Sequence, residues 1–282
     1  MTKILVTGAN GMLGQDLCPI LEDSGYEVVE TDVDTLDITS TENVKKVLEL
    51  EKPDFVIHCA AYTNVDKAEE DLKTAELINV TGTENIADIC GKLGITLVYI
   101  STDYVFDGKK QEPYLPNDRV NPLNNYGMTK YEGEEAVRSL CDKYYVVRTS
   151  WLYGHHGKNF VETMLNLAKT NKELKVVDDQ IGSPTWTVDL SNGIINLLKT
   201  NAEYGTYHIC GAGATSWYGF AKEIFNQAGV DVNLTPCTTD EFPRPAKRPS
   251  FSKMESYGKC RNWKVALRDY LDLRIDESEV ED

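Results

Sequence analysis

The sequence predicts an α/β fold: a doubly wound parallel sheet followed by a smaller C-terminal α/β lobe. Three observations predict it. Short apolar runs alternate with stretches of helical periodicity through the first half, the pattern of parallel strands joined by crossover helices. The first run, ending at Thr7, leads directly into glycines at 8, 11 and 14, a spacing that turns a strand sharply into a helix. After Trp151 the alternation loosens into shorter runs. With 282 residues, 41% of them hydrophobic, the chain can form one large domain over residues 1–150. Residues 151–282 then form a lobe interleaved with the last elements of the sheet.

The elements follow in order. Lys3 to Thr7 reads as a strand, and Leu13, Leu17, Ile20 and Leu21 then share one helical face, with Pro19 weakening the helix locally. Glu27 to Asp32 is a second strand and Val44, Val47 and Leu48 mark a short helix. Phe55 to Ala60 is a third strand, after which one long helix is expected to carry Ala75, Ile78, Gly82, Ile86, Ile89 and Leu93 inward. Thr96 to Ser101 is a fourth strand, Tyr126 to Leu140 a helix, and Tyr145 to Thr149 a fifth strand. Between them Phe106 to Asn125 is a long loop with three prolines, of the kind that is functional or disordered. In the lobe, helices are expected at Phe160 to Ala168, Val188 to Leu198 and Trp217 to Ala228. Short strands are expected at Leu174 to Val177, Tyr207 to Cys210 and Asn233 to Pro236, and an ordered loop at Phe242 to Pro249.

Bulk properties exclude several function classes. A net charge of -16 argues against nucleic-acid or anionic-membrane binding, and no apolar run is long enough to span a bilayer. An anionic ligand would have to be held by local devices, such as helix N-termini or a few placed Arg and Lys. Part of the acidity is solvation, as in the tail Asp276 to Asp282, which is expected to fray. Seven scattered cysteines without C-x-x-C spacing indicate reduced thiols and a cytoplasmic protein.

The chemistry-bearing residues lie at the predicted strand ends. In Thr7-Gly8-Ala9-Asn10-Gly11-Met12-Leu13-Gly14, Gly8 permits the turn, Gly11 lets backbone approach a pyrophosphate, and Gly14 lets helix pack on strand. The helix N-terminus contributes free N–H groups. Asp32 after the second strand can accept hydrogen bonds from an adenosine ribose. No Arg stands near it to receive a 2′-phosphate, which favours NADH over NADPH. Asp37 and Ile38 are a second candidate pair for the adenine. Ala60, Ala61 and Tyr62 are small or flat residues over which a cofactor can lie. Thr102 could hold a carbonyl oxygen, and Asp103 could influence the phenol or orient a sugar hydroxyl. Tyr126 and Lys130 are one helical turn apart, so phenol and ammonium share a face. The cation is expected to draw the phenol's pKa down from its ordinary value, preparing it to exchange a proton with a carbonyl or alcohol oxygen.

With these residues quoted, the chain resembles the extended short-chain dehydrogenase/reductases. The glycine motif, Ser101-Thr102, Tyr126-x-x-x-Lys130 and the helix segment Asn79 to Asn85 match their signatures. Within them it is similar to the dTDP-4-dehydrorhamnose reductases, through Ala60 to Glu69, Ser101 to Phe106, Pro122 to Lys130, Arg148 to Tyr153, Asp178 to Thr185 and Arg248-Pro249. The resemblance implies a Rossmann-type domain and reduction of a dTDP-sugar 4-ketone by NADH or NADPH. It implies Tyr126 as proton donor, Lys130 on the phenol and the nicotinamide ribose, and Thr102 on the carbonyl. Asp103, Tyr104 and Trp151 would meet the sugar, with Arg244, Lys247 and Arg248 near the diphosphate. His155-His156 reads as a polar loop, and His58 and His208 as internal residues with satisfied hydrogen bonds; no metal is expected. Monomer and homodimer both remain open. Another nucleotide-sugar reductase or epimerase, or a non-catalytic regulatory homologue, remains the alternative at this stage.

Overall fold

The computed structural model describes residues 1–258 and 260–274; the acidic tail expected to fray lies outside them. In the first half the strands are β1 (Lys3–Thr7), β2 (Glu27–Thr31), β3 (Phe55–His58), β4 (Thr96–Thr102) and β5 (Tyr144–Thr149). The helices are α1 (Met12–Asp23), α2 (Thr41–Glu51), the short α3 (Lys67–Glu70) and α4 (Leu72–Glu76), α5 (Gly82–Leu93) and α6 (Asn125–Leu140). The second half adds β6 (Leu152–Tyr153), α7 (Phe160–Thr170), β7 (Glu173–Val177), β8 (Ile181–Gly182), β9 (Thr185–Trp186) and α8 (Thr187–Lys199). It closes with β10 (Gly205–His208), β11 (Thr215–Ser216), α9 (Trp217–Ala228), β12 (Asn233–Cys237) and α10 (Trp263–Leu273).

Six strands form one parallel sheet in the order β10-β5-β4-β3-β1-β2. The chain runs outward from β1 in both directions, so β1 and β3 flank the switch point, where open α/β sheets bind ligands beyond the strands' C-terminal ends. Successive residues of each strand face opposite sides. Ile4, Val6, Ile57, Val98 and Val147 pack with Leu13, Leu17 and Leu21 of α1 and Leu190, Ile194 and Leu197 of α8. Leu5, Val56, Leu97, Tyr99 and Val146 pack with Val44, Leu48, Ile86, Cys90 and Val137 of α2, α5 and α6. Thus α8 and β10, both beyond Trp151, return to complete the main sheet and one of its helical layers. Pro19 is exposed and α1 runs through it, because the carbonyl that loses its partner, that of Gln15, lies on the solvent side.

The structure differs from expectation in three places. The long helix is instead α4 and α5 joined by one π-helical turn, Leu77–Thr81, and Leu93, expected inside, is 44% exposed in the last turn before left-handed Gly94. The loop after Phe106, for which the sequence leaves function and disorder both open, is ordered: Phe106 stacks on Tyr114 at 4.0 Å and the Tyr114 N–H donates to the Lys253 carbonyl at 2.9 Å. Helix α10 was not foreseen, although Trp263, Ala266, Leu267 and Tyr270 have helical spacing and are buried against Tyr153 and Phe220. His155 does not sit in a polar loop; its ring stacks on Tyr270 at 4.2 Å. His58 and His208 are the satisfied internal residues anticipated. His58 lies between the Thr7 and Thr83 hydroxyls at 2.7 and 3.2 Å, and His208 Nδ1 meets the Tyr114 carbonyl at 3.1 Å.

Candidate active site

The switch-point crevice is shaped by two tight glycines. Gly8 has φ +66° and its missing Cβ would lie 2.8 Å from the Ala60 nitrogen, so a side chain there would force β1 and the β3 end apart. A Cβ on Gly14 would lie 2.5 Å from the Gly8 carbonyl oxygen. Helix α1 follows Gly11, its N-cap, with no side-chain cap and no acid in its first turn. Its N–H groups and positive dipole end are left for an anion, and the cradle fits a pyrophosphate. Asn10 and Asp32 are joined, the Asn10 N–H donating to Asp32 Oδ2 at 3.0 Å while Oδ1 accepts from the Val33 N–H. Ala60 and Tyr62 line the β3 end, the Ala60 N–H donating to Thr7 Oγ1 at 3.2 Å and the Tyr62 N–H to Asn79 Oδ1 at 2.8 Å; Ala61 lies between them. The second adenine pair is otherwise engaged. Asp37 accepts from the Thr39 N–H and hydroxyl, and Ile38 is buried in the core against Gly82. Turn formation and apolar burial have claimed both residues, leaving Val33, 78% exposed beside Asp32, as the apolar residue free at this edge.

The candidate catalytic residues meet at the C-terminal end of β4. Asn124 caps α6, its Oδ1 accepting from the Gly127 N–H at 2.7 Å, and the glycine lets α6 press against the Tyr104 carbonyl. This sets Tyr126 beside Tyr104, ring edge to ring face at 6.0 Å. The Thr102 hydroxyl accepts from the Tyr104 N–H, donates to Asp103 Oδ1 at 3.1 Å, and faces the Tyr126 phenol. Lys130 is 3% exposed, with Nζ 4.1 Å from the centre of the Tyr99 ring, a cation–π position. The expected lowering of the phenol is not found. Burial pushes Tyr126 up to about 12 against the influence of the neighbouring Thr102 hydroxyl, with Asp103 adding to the rise. Burial also draws Lys130 down to about 7 despite Glu134. Removing both charged forms from water outweighs any attraction between them. Burial likewise raises the Asp103 carboxyl to about 7 against the neighbouring Ser252 and the Thr102 hydroxyl that donates to its Oδ1, and its Oδ2 is buried without a hydrogen-bond partner among the described residues.

The corner where the resemblance leads one to expect the sugar is built by the second half of the chain. Trp151 lies two residues beyond Thr149, the register partner of Thr102. One face of its indole is already covered: it is stacked on Trp217 with centroids 3.5 Å apart and planes within 4°. Arg248 reaches the same corner beside Tyr104, but it is already paired, donating from both Nη atoms to Asp66 at 3.0 Å. Arg244 joins Asp66 at 3.3 Å, while Lys247 is exposed and only its carbonyl is held, by Asn124 Nδ2 at 2.8 Å. Among the described residues no three His, Cys, Asp or Glu side chains cluster as a metal site, all seven cysteines are free thiols, and no helix is long and apolar enough to cross a membrane.

Comparison with known proteins places this geometry. The family model for the RmlD substrate binding domain matches residues 1–274. The chain belongs to the RmlD family. A curated relative named dTDP-4-dehydrorhamnose reductase, from Aggregatibacter actinomycetemcomitans, is 40% identical over 90% of this chain and 91% of its own length. The crystal structure of a dTDP-4-dehydrorhamnose reductase from Clostridium acetobutylicum superposes with a TM-score of 0.94 at 50% identity, covering 96% of this chain and 99% of the other. One from Bacillus anthracis, solved in complex with NADP, has a TM-score of 0.93 at 42% identity over the same shares. For an RmlD chain, sequence reasoning passed over several supporting residues: Asn79, whose side chain clamps Tyr62 and bonds to Thr129; Asp66; Ser252; and Trp217. Asn79 and Asp66 stood inside the segments that carry the resemblance, whereas Trp217 carried only a helical-core signal.

Proposed function

We propose that this oxidoreductase reduces the 4-ketone of dTDP-4-dehydro-L-rhamnose to dTDP-L-rhamnose with a nicotinamide dinucleotide. The observation that carries the reading is the meeting of Thr102 and Tyr126 with buried Lys130 at the end of β4, beside a pyrophosphate-fitting crevice. Residues 1–150 would hold the dinucleotide: Gly8, Asn10, Gly11, Met12, Leu13 and Gly14 at the pyrophosphate, Asp32 at the ribose, and Ala60, Ala61 and Tyr62 under the ring. When bound, the reduced cofactor supplies the hydride. Tyr126, with a pKa near 12, keeps its proton at neutral pH and gives it to O4 as the alkoxide forms. Thr102 holds the ketone oxygen, Lys130 sits behind the phenol, and Asp103 and Tyr104 meet the sugar. The Trp151 wall takes the deoxysugar carbons, and Arg248 stands nearest the diphosphate. The Asp32 carboxylate opposes a 2′-phosphate, so NADH is the expected cofactor, with NADPH the comparison that the Bacillus anthracis complex demands. The protein acts as a monomer or homodimer. Mixing protein, dTDP-4-dehydro-L-rhamnose and either reduced cofactor and following nicotinamide absorbance tests the assignment; absorbance that stays constant with both would refute it.

A further inference from the structure

Trp151 occupies an unusual backbone state. Its φ is +47°, a conformation that a bulky side chain holds only when its surroundings over-determine it. Two neighbours do so. Trp217 covers one indole face in a near-parallel stack, and a Cβ on Gly182 would overlap the Cε2, Nε1 and Cζ2 atoms of the same indole. Trp217 is itself fixed. It is the first residue of α9, capped by Ser216, whose Oγ accepts from the Gly219 N–H at 2.9 Å and donates to Asp178. Its Nε1 donates to Gln180 Oε1 at 3.1 Å, and Gln180, 5% exposed, donates from Nε2 to Thr239 at 2.9 Å. Phe160 packs on it at 4.6 Å. Both indoles nevertheless remain partly exposed, so the pair forms a wall that a ligand can touch. The wall adjoins the catalytic corner: the Ser150 hydroxyl donates to the Ser183 carbonyl at 2.7 Å, and the Ser252 N–H donates to the Ile181 carbonyl at 2.7 Å. The segment carrying Gly182 is thereby tied both to the residue before Trp151 and to Ser252, a neighbour of Asp103.

We infer that Trp217 is a positioning residue of the sugar subsite, clamping Trp151 against Gly182 so that the paired indoles form one preformed apolar wall for a deoxysugar. The inference rests on the proposed reductase reading and adds a residue to it. A preformed wall favours substrate because no side chain must be ordered on binding. Loosening the wall weakens ground-state and transition-state binding alike, which raises KM and leaves kcat nearly in place.

The test compares wild type, Trp217→Ala, Trp217→Phe and Gly182→Ala by steady-state kinetics, cofactor titration and calorimetric titration with dTDP-L-rhamnose. Trp217→Ala is expected to raise KM for the sugar nucleotide about 10-fold and weaken dTDP-L-rhamnose binding in parallel, with kcat and cofactor affinity within about twofold. Trp217→Phe, which keeps an aromatic face, should recover most of the loss. Gly182→Ala should raise KM as well, and its combination with Trp217→Ala should cost less than the sum. An unaltered KM in Trp217→Ala overturns the inference, and so does a loss of cofactor affinity that tracks the loss of sugar affinity. Failure of the wild type to turn over any dTDP-4-keto sugar strikes the reductase reading instead. In that event sugar-nucleotide binding equal in wild type and Trp217→Ala strikes this inference separately.

Discussion

Tyr126, Lys130 and Asp103 show how one corner of a protein resets three ordinary side chains. The spacing of Tyr126 and Lys130 predicts an acidified phenol, but taking both groups out of water leaves the phenol protonated far above neutrality and the lysine titrating near 7. For a reductase this direction is useful, since the donor must hold its proton until O4 develops charge. Tyr126→Phe is therefore expected to lower kcat by about 10²–10⁴-fold with cofactor affinity nearly intact; full turnover in that variant would remove the phenol from the chemistry. Asp103 gives a separable stability signature. Its folded value, about 7, lies above the ordinary carboxylate value, so between those two pH values the folded chain binds more protons than the unfolded one. Stability should fall as pH rises through that window. Asp103→Asn should remove this slope, so that the variant gains on wild type in Tm at pH 8 relative to pH 4, and parallel melting curves at both pH values would contradict it. Thr102 has one hydroxyl proton, now given to Asp103, so its use on a ketone also depends on Asp103.

At the scale of elements, α6 is held to the sheet by charged hydrogen bonds as well as by apolar contact. Glu134 is fully buried and accepts from Arg148 of β5 at 2.8 and 2.7 Å, from Ser101 of β4 at 2.6 Å and from Arg138 at 2.7 Å. Burial pushes its carboxyl up, yet Arg148 and then Ser101 and Arg138 outweigh that and hold it below its usual value. The contribution is thus present above the unfolded carboxyl pKa and lost as pH falls through the lower folded one. Glu134→Gln leaves Arg148 buried without its counter-charge and should cost about 3–5 kcal/mol in urea unfolding at pH 7; a change below about 1 kcal/mol would show that the pair is dispensable. Because α6 carries Tyr126 and Lys130, the same variant should slow catalysis. The sheet strands and the main helices of the first half were legible because short apolar runs and a period of 3.6 are local signals. The π-helical turn was not: it carries Asn79, whose side chain bonds to Tyr62 and Thr129, contacts that no local period encodes.

Over the whole molecule, a charge of -16 surrounds a site meant for two anions. Two guanidinium groups of the proposed sugar corner, Arg248 and Arg244, share their charge with Asp66. Association with a dTDP-sugar should therefore be opposed at low ionic strength, and kcat/KM should rise as salt increases from about 10 mM to about 150 mM; a fall over that range would reveal a locally positive approach. The Asp66–Arg248 contact joins residues 182 positions apart, and no periodicity announces it. The sequence by itself determined the parallel sheet and pointed to the glycine cradle, Asp32 and the Thr102, Tyr126 and Lys130 set, because apolar runs, helical periods and motif spacings are local. Only the tertiary structure decided the protonation of that set, the burial of Ile38, the pairing of Arg248 and the stacking of Trp151 on Trp217. Those depend on which distant groups exclude water from one another, and desolvation is a property of the packed whole, not of any local run of residues.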